Sequence, residues 1–254
     1  MKYASLRDRL VLAICPSVSG GGGIVPDLSG YNNHGTLNNM EAVDYVSYQR
    51  GVACNFEGTN NNIQTSTSFC LTNQFTLSLW MRSSNISQPN TYLFSALDSS
   101  LTDNAYSIIY GFVSQRVEFY AGATIAGFRT NSQITIADTN PNHLAYTYDG
   151  RQMLSYLNGQ VVNTNSFASA TLNAPNGPLY LGNFGPSFAR FFNGLLDDAR
   201  SYQRALSSQE IQLLASEPGI GLRPERTSVF FGAQLFNAAW ARNSNVILSP
   251  VGAA

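Results

Sequence analysis

A chain of 254 residues with 44% hydrophobic and 12% aromatic content is long enough to bury one large core. Its 14 Lys and Arg balance 15 Asp and Glu, and charged residues make up only 11%, so no basic footprint exists for phosphate backbones or anionic lipid, which disfavours nucleic-acid and membrane-surface roles. Two histidines, His34 and His143, and three cysteines without C-x-x-C spacing argue against a zinc site.

The first apolar run, Leu10 to Cys15, follows Lys2, Arg7 and Arg9 but is too short for a secretory segment. Pro16 and the glycine tract Gly20 to Gly23 come next, so a first strand and a flexible loop are expected, with the mature chain beginning near Met1. No segment approaches the roughly 18 apolar residues that span a bilayer. Phe75 to Arg82 alternates, with Phe75, Leu77, Leu79 and Met81 on one face, and reads as a half-buried strand. Tyr106 to Phe112, Arg116 to Tyr120 and Gln133 to Ala137 read the same way. Between His143 and Val162, Asp149-Gly150 and Asn158-Gly159 each suit the centre of a type I′ turn, which predicts a three-stranded meander and makes Asp149 a turn residue. Strand signals return at Leu179 to Gly182 and Phe192 to Tyr202.

One helix is predicted. Ser207 and Glu210 have capping-box spacing, Ile211, Leu213 and Leu214 supply an apolar stripe, and Pro218-Gly219 ends it, giving a short lid. Residues 218–254 then read as an extended arm, whose Phe230, Phe231, Phe236, Trp240 and Ile247 bury against the same domain or a neighbouring subunit. Cys15, Cys54 and Cys70 are expected as buried free thiols, with a Cys54–Cys70 bridge as the alternative outside a reducing compartment.

Several motifs, in order, resemble one family. They are Asp27-Leu28-Ser29-Gly30-Tyr31-Asn32-Asn33-His34-Gly35-Thr36-Leu37, Val52-Ala53-Cys54-Asn55-Phe56-Glu57-Gly58, Phe75 to Trp80, His143 to Gly150 with Leu157-Asn158-Gly159, and Phe192 to Ile211. The pattern, from about Leu10 to Ala215, is similar to the laminin-G-like, concanavalin A-like jelly-roll domains of bacterial and phage proteins. The resemblance implies an all-β, antiparallel two-sheet sandwich over residues 1–217, with one short C-terminal helix and an arm over 218–254. The beginning of the chain at its first strand and its closing arm resemble proteins of tailed-phage structural gene clusters.

The fold hosts lectins, adhesion modules, glycosidases and structural proteins, so the site must decide. Glycosidases of this class carry acidic residues at alternate strand positions, whereas Glu41, Glu57, Glu118, Glu210, Glu217 and Glu225 are isolated and Asp197 and Asp198 are adjacent, which a regular strand sends to opposite faces. No nucleophile elbow, P-loop or H-E-x-x-H is present, and His143 at a strand start reads as a packed or edge residue, so no catalytic residue is assigned. Some relatives hold calcium at the rim, for which Asp27, Asp98, Asp103 and Asp138 are the weak candidates; otherwise no cofactor is expected. A glycan face could draw on Tyr106, Tyr110, Phe128 and Asn61, while Trp80 reads as packing. The expected function is a non-enzymatic virion structural protein, a decoration or accessory protein on the capsid rather than the tail. It would form homo-oligomers such as trimers beside a major capsid protein. The alternative is an extracellular or cell-surface lectin that binds polysaccharide with or without calcium, and a glycosidase is third.

Overall fold

The computed structural model describes residues 3–19, 23–41, 44–65, 71, 73–97, 104–111, 115–121, 132–166, 175, 177–185 and 189–223, together with the backbone of 229–231 and 234–236. Contacts divide the chain into a body, Lys2–Leu222, and a second unit over 223–254.

The body holds two antiparallel sheets of eight strands each. The first runs β14 (Gln160–Ser166), β13 (Gln152–Leu157), β12 (Asn142–Tyr148), β7 (Phe75–Ser83), β16 (Asn193–Tyr202), β5 (Gly51–Glu57) and β4 (Tyr45–Tyr48), with β1 (Leu10–Ile14) also paired to β16. The second runs β11 (Ile134–Thr135), β10 (Arg116–Ala121), β9 (Asn104–Tyr110), β8 (Thr91–Leu97), β15 (Leu179–Leu181), β6 (Asn62–Thr65), β3 (Gly35–Asn38) and β2 (Ile24–Val25). Gln133 to Ala137 thus forms a two-residue strand in place of a longer one.

Alternation makes the sandwich. The inward set of β7, Phe75, Leu77, Leu79 and Met81, meets Leu144, Tyr146 and Tyr148 of β12 and, across the gap, Phe94, Ile108, Val117 and Phe119 of the second sheet. Ring contacts stitch the layers, with Phe75 and Phe119 centroids 5.1 Å apart and Phe119 and Tyr146 5.9 Å apart. Strand β7 is nevertheless buried on both faces, because the helix α2 (Ser208–Leu214), the segment Leu6–Cys15 and the turn at Ile220–Leu222 cover its outer side. There Leu6, Leu10, Ala13, Cys15, Tyr202, Leu206, Ile211, Leu214, Ile220 and Leu222 form a second apolar cluster. Trp80 lies under this cover and donates its indole N–H to the Leu214 carbonyl at 3.2 Å, so it is packing. Ile220 and Leu222 place residues up to 222 with the body, beyond the boundary expected at 217.

The turns follow residue chemistry closely. Asn158 and Gly159 both take positive φ, 52° and 80°, as a type I′ turn between β13 and β14 demands. At the β12–β13 turn the pairing of Tyr148 with Met153 and the Asp149 N–H bond to Gln152 O make Gly150-Arg151 the central pair, one residue later than expected. Asp149 stays a turn residue: its Oδ1 accepts from the Arg151 and Gln152 N–H groups at 2.8 and 2.7 Å. Ser207 and Glu210 form the full capping box of α2. After β1 the chain makes a helical turn, α1 (Pro16–Ser19), where a loop was expected; Gly20 to Gly22 lie outside the described residues. Cys15 and Cys54 are buried free thiols, and burial pushes Cys54 up to about 12. Cys70 lies outside the described residues.

Among the described residues of the second unit is an antiparallel hairpin, β17 (Val229–Phe231) with β18 (Gln234–Phe236). Phe230, Phe231 and Phe236 lie on it; Trp240 and Ile247 lie outside the described residues.

Candidate functional site

At one rim of the sandwich three connections converge around a cleft of about 450 Å³ lined by Gly58, Pro89, Asn90, Thr91, Ala189, Arg190 and Phe191. Each wall is fixed by local chemistry. After β5, Gly58 turns at φ +78° hard against Asn193, where a Cβ would come within 2.9 Å of that side chain. The next residues are pinned by Asn61, whose Oδ1 accepts from Glu57 N–H at 3.1 Å and whose Nδ2 donates to Asn39 O at 2.8 Å. Between β7 and β8, Gln88 clamps the loop to the start of β16: Nε2 donates to Ser83 Oγ at 2.5 Å and to Asn193 O, and Oε1 accepts from Asn193 N–H at 2.9 Å. Pro89 and Asn90 follow on this anchored base. Gly111 lies against the same loop, too close to Gln88 O for any side chain.

The third wall precedes β16. Phe192 is buried beside Phe56, ring centroids 6.4 Å apart, and its N–H bonds Gly182 O at 2.9 Å. Adjacent residues in extended chain face opposite ways, so fixing Phe192 inward leaves Phe191 half-buried at the cleft. Arg190 is exposed and its carbonyl accepts from Tyr92 N–H at 3.3 Å. The cleft therefore offers an aromatic ring, a guanidinium and the Asn90 carboxamide, whose buried Oδ1 has no hydrogen-bond donor among the described residues. This is material for a small ligand with both apolar and hydroxylated faces.

The residues singled out from the sequence lie elsewhere. Tyr106 and Tyr110 are buried within the intersheet core, where no ring face is open to a sugar. Asn61 stands near the cleft, but its carboxamide is used on the backbone bonds above. Phe128 lies outside the described residues. Asp27 spends its carboxylate on its own loop, accepting from Ala13, Ser29 and Asn33 N–H at 2.9 to 3.0 Å and from Ser29 Oγ at 2.7 Å. Asp138 caps Asn140 through backbone and side chain. Asp98 and Asp103 lie outside the described residues, and among those described no three His, Cys, Asp or Glu side chains gather as metal ligands. Sequence reasoning missed Asn90, Arg190 and Phe191; the signal for the last was the pair Phe191-Phe192 at a strand entry, where one ring must face outward.

A second polar cluster is sealed under α1 and the C-terminal turn. The register shift between Asp197 and Arg200, with Asp198 at φ +48°, is a bulge that turns both carboxylates to the outer side of the sheet, contrary to the opposite faces of a regular strand. Asp197 accepts from Ser17 Oγ at 2.5 Å and Tyr48 OH at 3.1 Å; Asp198 accepts from Arg200 Nε at 2.7 Å and Gly219 N–H at 2.9 Å. Both carboxyls are 2% exposed, so they face structure and no open groove.

Burial and the neighbouring Asp198 push Asp197 up to about 6, whereas burial pushes His143, packed beside Trp80 at 5.5 Å, down to about 3. The signs oppose. A raised carboxyl contributes stability below the unfolded value near 4 and loses it as pH rises to 6; a depressed histidine contributes above the unfolded value near 6.5 and loses it as pH falls. Between about pH 4.5 and 6 the two slopes cancel, each being at most about 1.4 kcal/mol per pH unit. Urea titrations across that window should show D197N gaining stability as pH rises and H143N losing it. Parallel profiles for the two variants would contradict this assignment.

An antiparallel two-sheet jelly roll with its connections gathered around a cleft defines the lectin-like class of β-sandwich. The chain belongs to the concanavalin A-like lectin/glucanases superfamily, whose laminin G profile matches residues 57–212. No curated protein matches the chain in sequence. Domain 4 of AbnA, an extracellular arabinanase from Geobacillus stearothermophilus solved with arabinotriose, is similar in fold: TM-score 0.57, 21% identity, 82% of this chain and 98% of that one. The binding domain of Paraclostridial Mosquitocidal Protein 1 aligns at TM-score 0.58 and 18% identity over 83% of this chain and 52% of that one. Trypanosoma rangeli sialidase aligns at 0.57 and 18% over 82% of this chain and 32% of the sialidase, so the chain spans about a third of that enzyme. At these identities the likeness is one of fold.

Proposed function

We propose that the chain is a non-enzymatic glycan-binding module, with the rim cleft as its site. The observation that carries this is the joining of Phe191, Arg190 and Asn90 around one space of about 450 Å³. A ring can cover the C–H face of a sugar while amide and guanidinium take its hydroxyls. The fold supports the reading, since a similar domain was solved with arabinotriose. Glycan-array binding that survives chelator is expected, with Phe191→Ala lowering affinity about tenfold or more. No turnover of the bound glycan is expected. Silence on a broad array, or binding unchanged in Phe191→Ala, would refute the assignment.

A second reading concerns assembly. The unit over 223–254 carries its own hairpin, with Phe230, Phe231 and Phe236 on it, and such a segment serves to join copies of a chain, as in a virion decoration or accessory protein displaying the glycan module. Truncation after Leu222 should leave a folded body that elutes as a monomer where the full chain elutes as an oligomer. Identical masses by light scattering would remove this reading.

A further inference from the structure

The chemistry of the cleft bears on the charge of the sugar as well as its presence, an inference that rests on the glycan-binding reading. Among the described residues lining the cleft Arg190 alone is charged, and no carboxylate lines it. Five of the other described arginines have their side chains hydrogen-bonded within the body. Arg7 donates to Gly221 O and Leu222 O, Arg82 to Thr139 O, Arg116 to Gln133, and Arg200 and Arg204 to Asp198 and Glu210. The Arg190 guanidinium has neither ion pair nor hydrogen bond among the described residues, although its backbone is held by Tyr92 and by the buried Phe192 that follows it.

A guanidinium is a flat fork of N–H donors whose best partner is a flat fork of acceptors. Sugar hydroxyls satisfy it one at a time and at varying angles, whereas a carboxylate takes two parallel bonds and brings the opposite charge. Asn90 is the complementary feature, a carboxamide at the same cleft that can give or take a hydrogen bond with a hydroxyl. A ligand with carboxylate and hydroxyl on one ring supplies both.

We infer that the cleft selects saccharides bearing a carboxylate. Arg190 takes the carboxylate, the Asn90 carboxamide meets a hydroxyl of the same sugar, and Phe191 lies against its C–H face. Carboxylates occur on sugars as hexuronic acids and as nine-carbon keto acids, which share this chemistry.

The test is calorimetry of the full chain with matched pairs: trigalacturonate against its methyl ester, and 3′-sialyllactose against lactose. At least one acidic member should bind about tenfold or more tightly than its neutral partner, and the preference should shrink with added salt. Arg190→Ala should erase the preference, and Arg190→Lys should keep part of it, charge without the fork. Because the Arg190 side chain is exposed, melting temperatures of both variants should match the parent. Which pair responds distinguishes uronate from keto acid. Equal binding within both pairs, or a preference untouched in Arg190→Ala, overturns the inference; if Phe191→Ala still abolishes neutral binding, the glycan reading survives it. Failure of every saccharide on a broad array brings down both.

Discussion

Replacing Arg200 with alanine is expected to destabilise the body by about 3–5 kcal/mol, the usual cost of stranding one member of a buried ion pair. The side chain is fully buried and grips Asp198 in a two-pronged pair, Nε to Oδ1 at 2.7 Å and Nη2 to Oδ2 at 2.8 Å. Its Nη2 also reaches Ile220 O at 2.9 Å, which ties the end of the body to the central strand. Alanine leaves the Asp198 carboxylate with no counter-charge in an apolar cluster and frees the C-terminal turn together. A companion variant, Arg200→Met with Asp198→Asn, removes both charges and should recover a large part of the loss. Guanidinium unfolding of the three proteins provides the check; Arg200→Ala within 1 kcal/mol of the parent would show that the pair carries no such role.

Gly111→Ala is expected to act on stability and on the cleft together. Gly111 takes φ +79°, and a Cβ there would sit 2.1 Å from Gln88 O and 3.2 Å from Pro89 O. These are backbone atoms that cannot swing aside, so the loop bearing Pro89 and Asn90 must move. The cost is on the order of 2 kcal/mol or more, strain plus the lost Gln88 clamp. Gly30→Ala is the control: φ is +97° but nothing lies within 4 Å, so it isolates the conformational penalty alone. Glycan affinity should fall in Gly111→Ala and hold in Gly30→Ala. Equal thermal shifts in both variants would mean that the steric contact has no weight.

The fold was largely legible because its signals are local. Alternation set the inner face of β7, Asn158-Gly159 set a turn, and Ser207 with Glu210 set a helix start, each requiring only neighbouring residues. Alternation also implied exposure for Thr76 and Ser78, and that failed because the cover over them comes from residues far away in the chain. The same limit explains the tyrosines. Tyr106 and Tyr110 alternate correctly, but which face is interior depends on the partner sheet, and both point into the core. The bulge at Asp197 and Asp198 escaped notice because it answers to a change of partner strand, something no short window contains. The cleft was least legible of all, since Asn90 and Arg190 are a hundred residues apart and meet only through loops held by Gln88 and Phe192.

That bulge has a consequence for biosynthesis. Below it β16 pairs with β5, and beyond it with β1, where Leu10 meets Tyr202. The first strand of the body is thus completed by the last one described in it. A nascent chain must carry the greasy segment Leu10–Ile14 without its partner while about 190 further residues are translated, about 10–40 s at ordinary ribosomal speed. Such distant closure favours slow maturation and gives chaperones a defined target. Expression at reduced temperature, or with the amino-terminal strand transplanted behind residue 222, should raise the soluble yield.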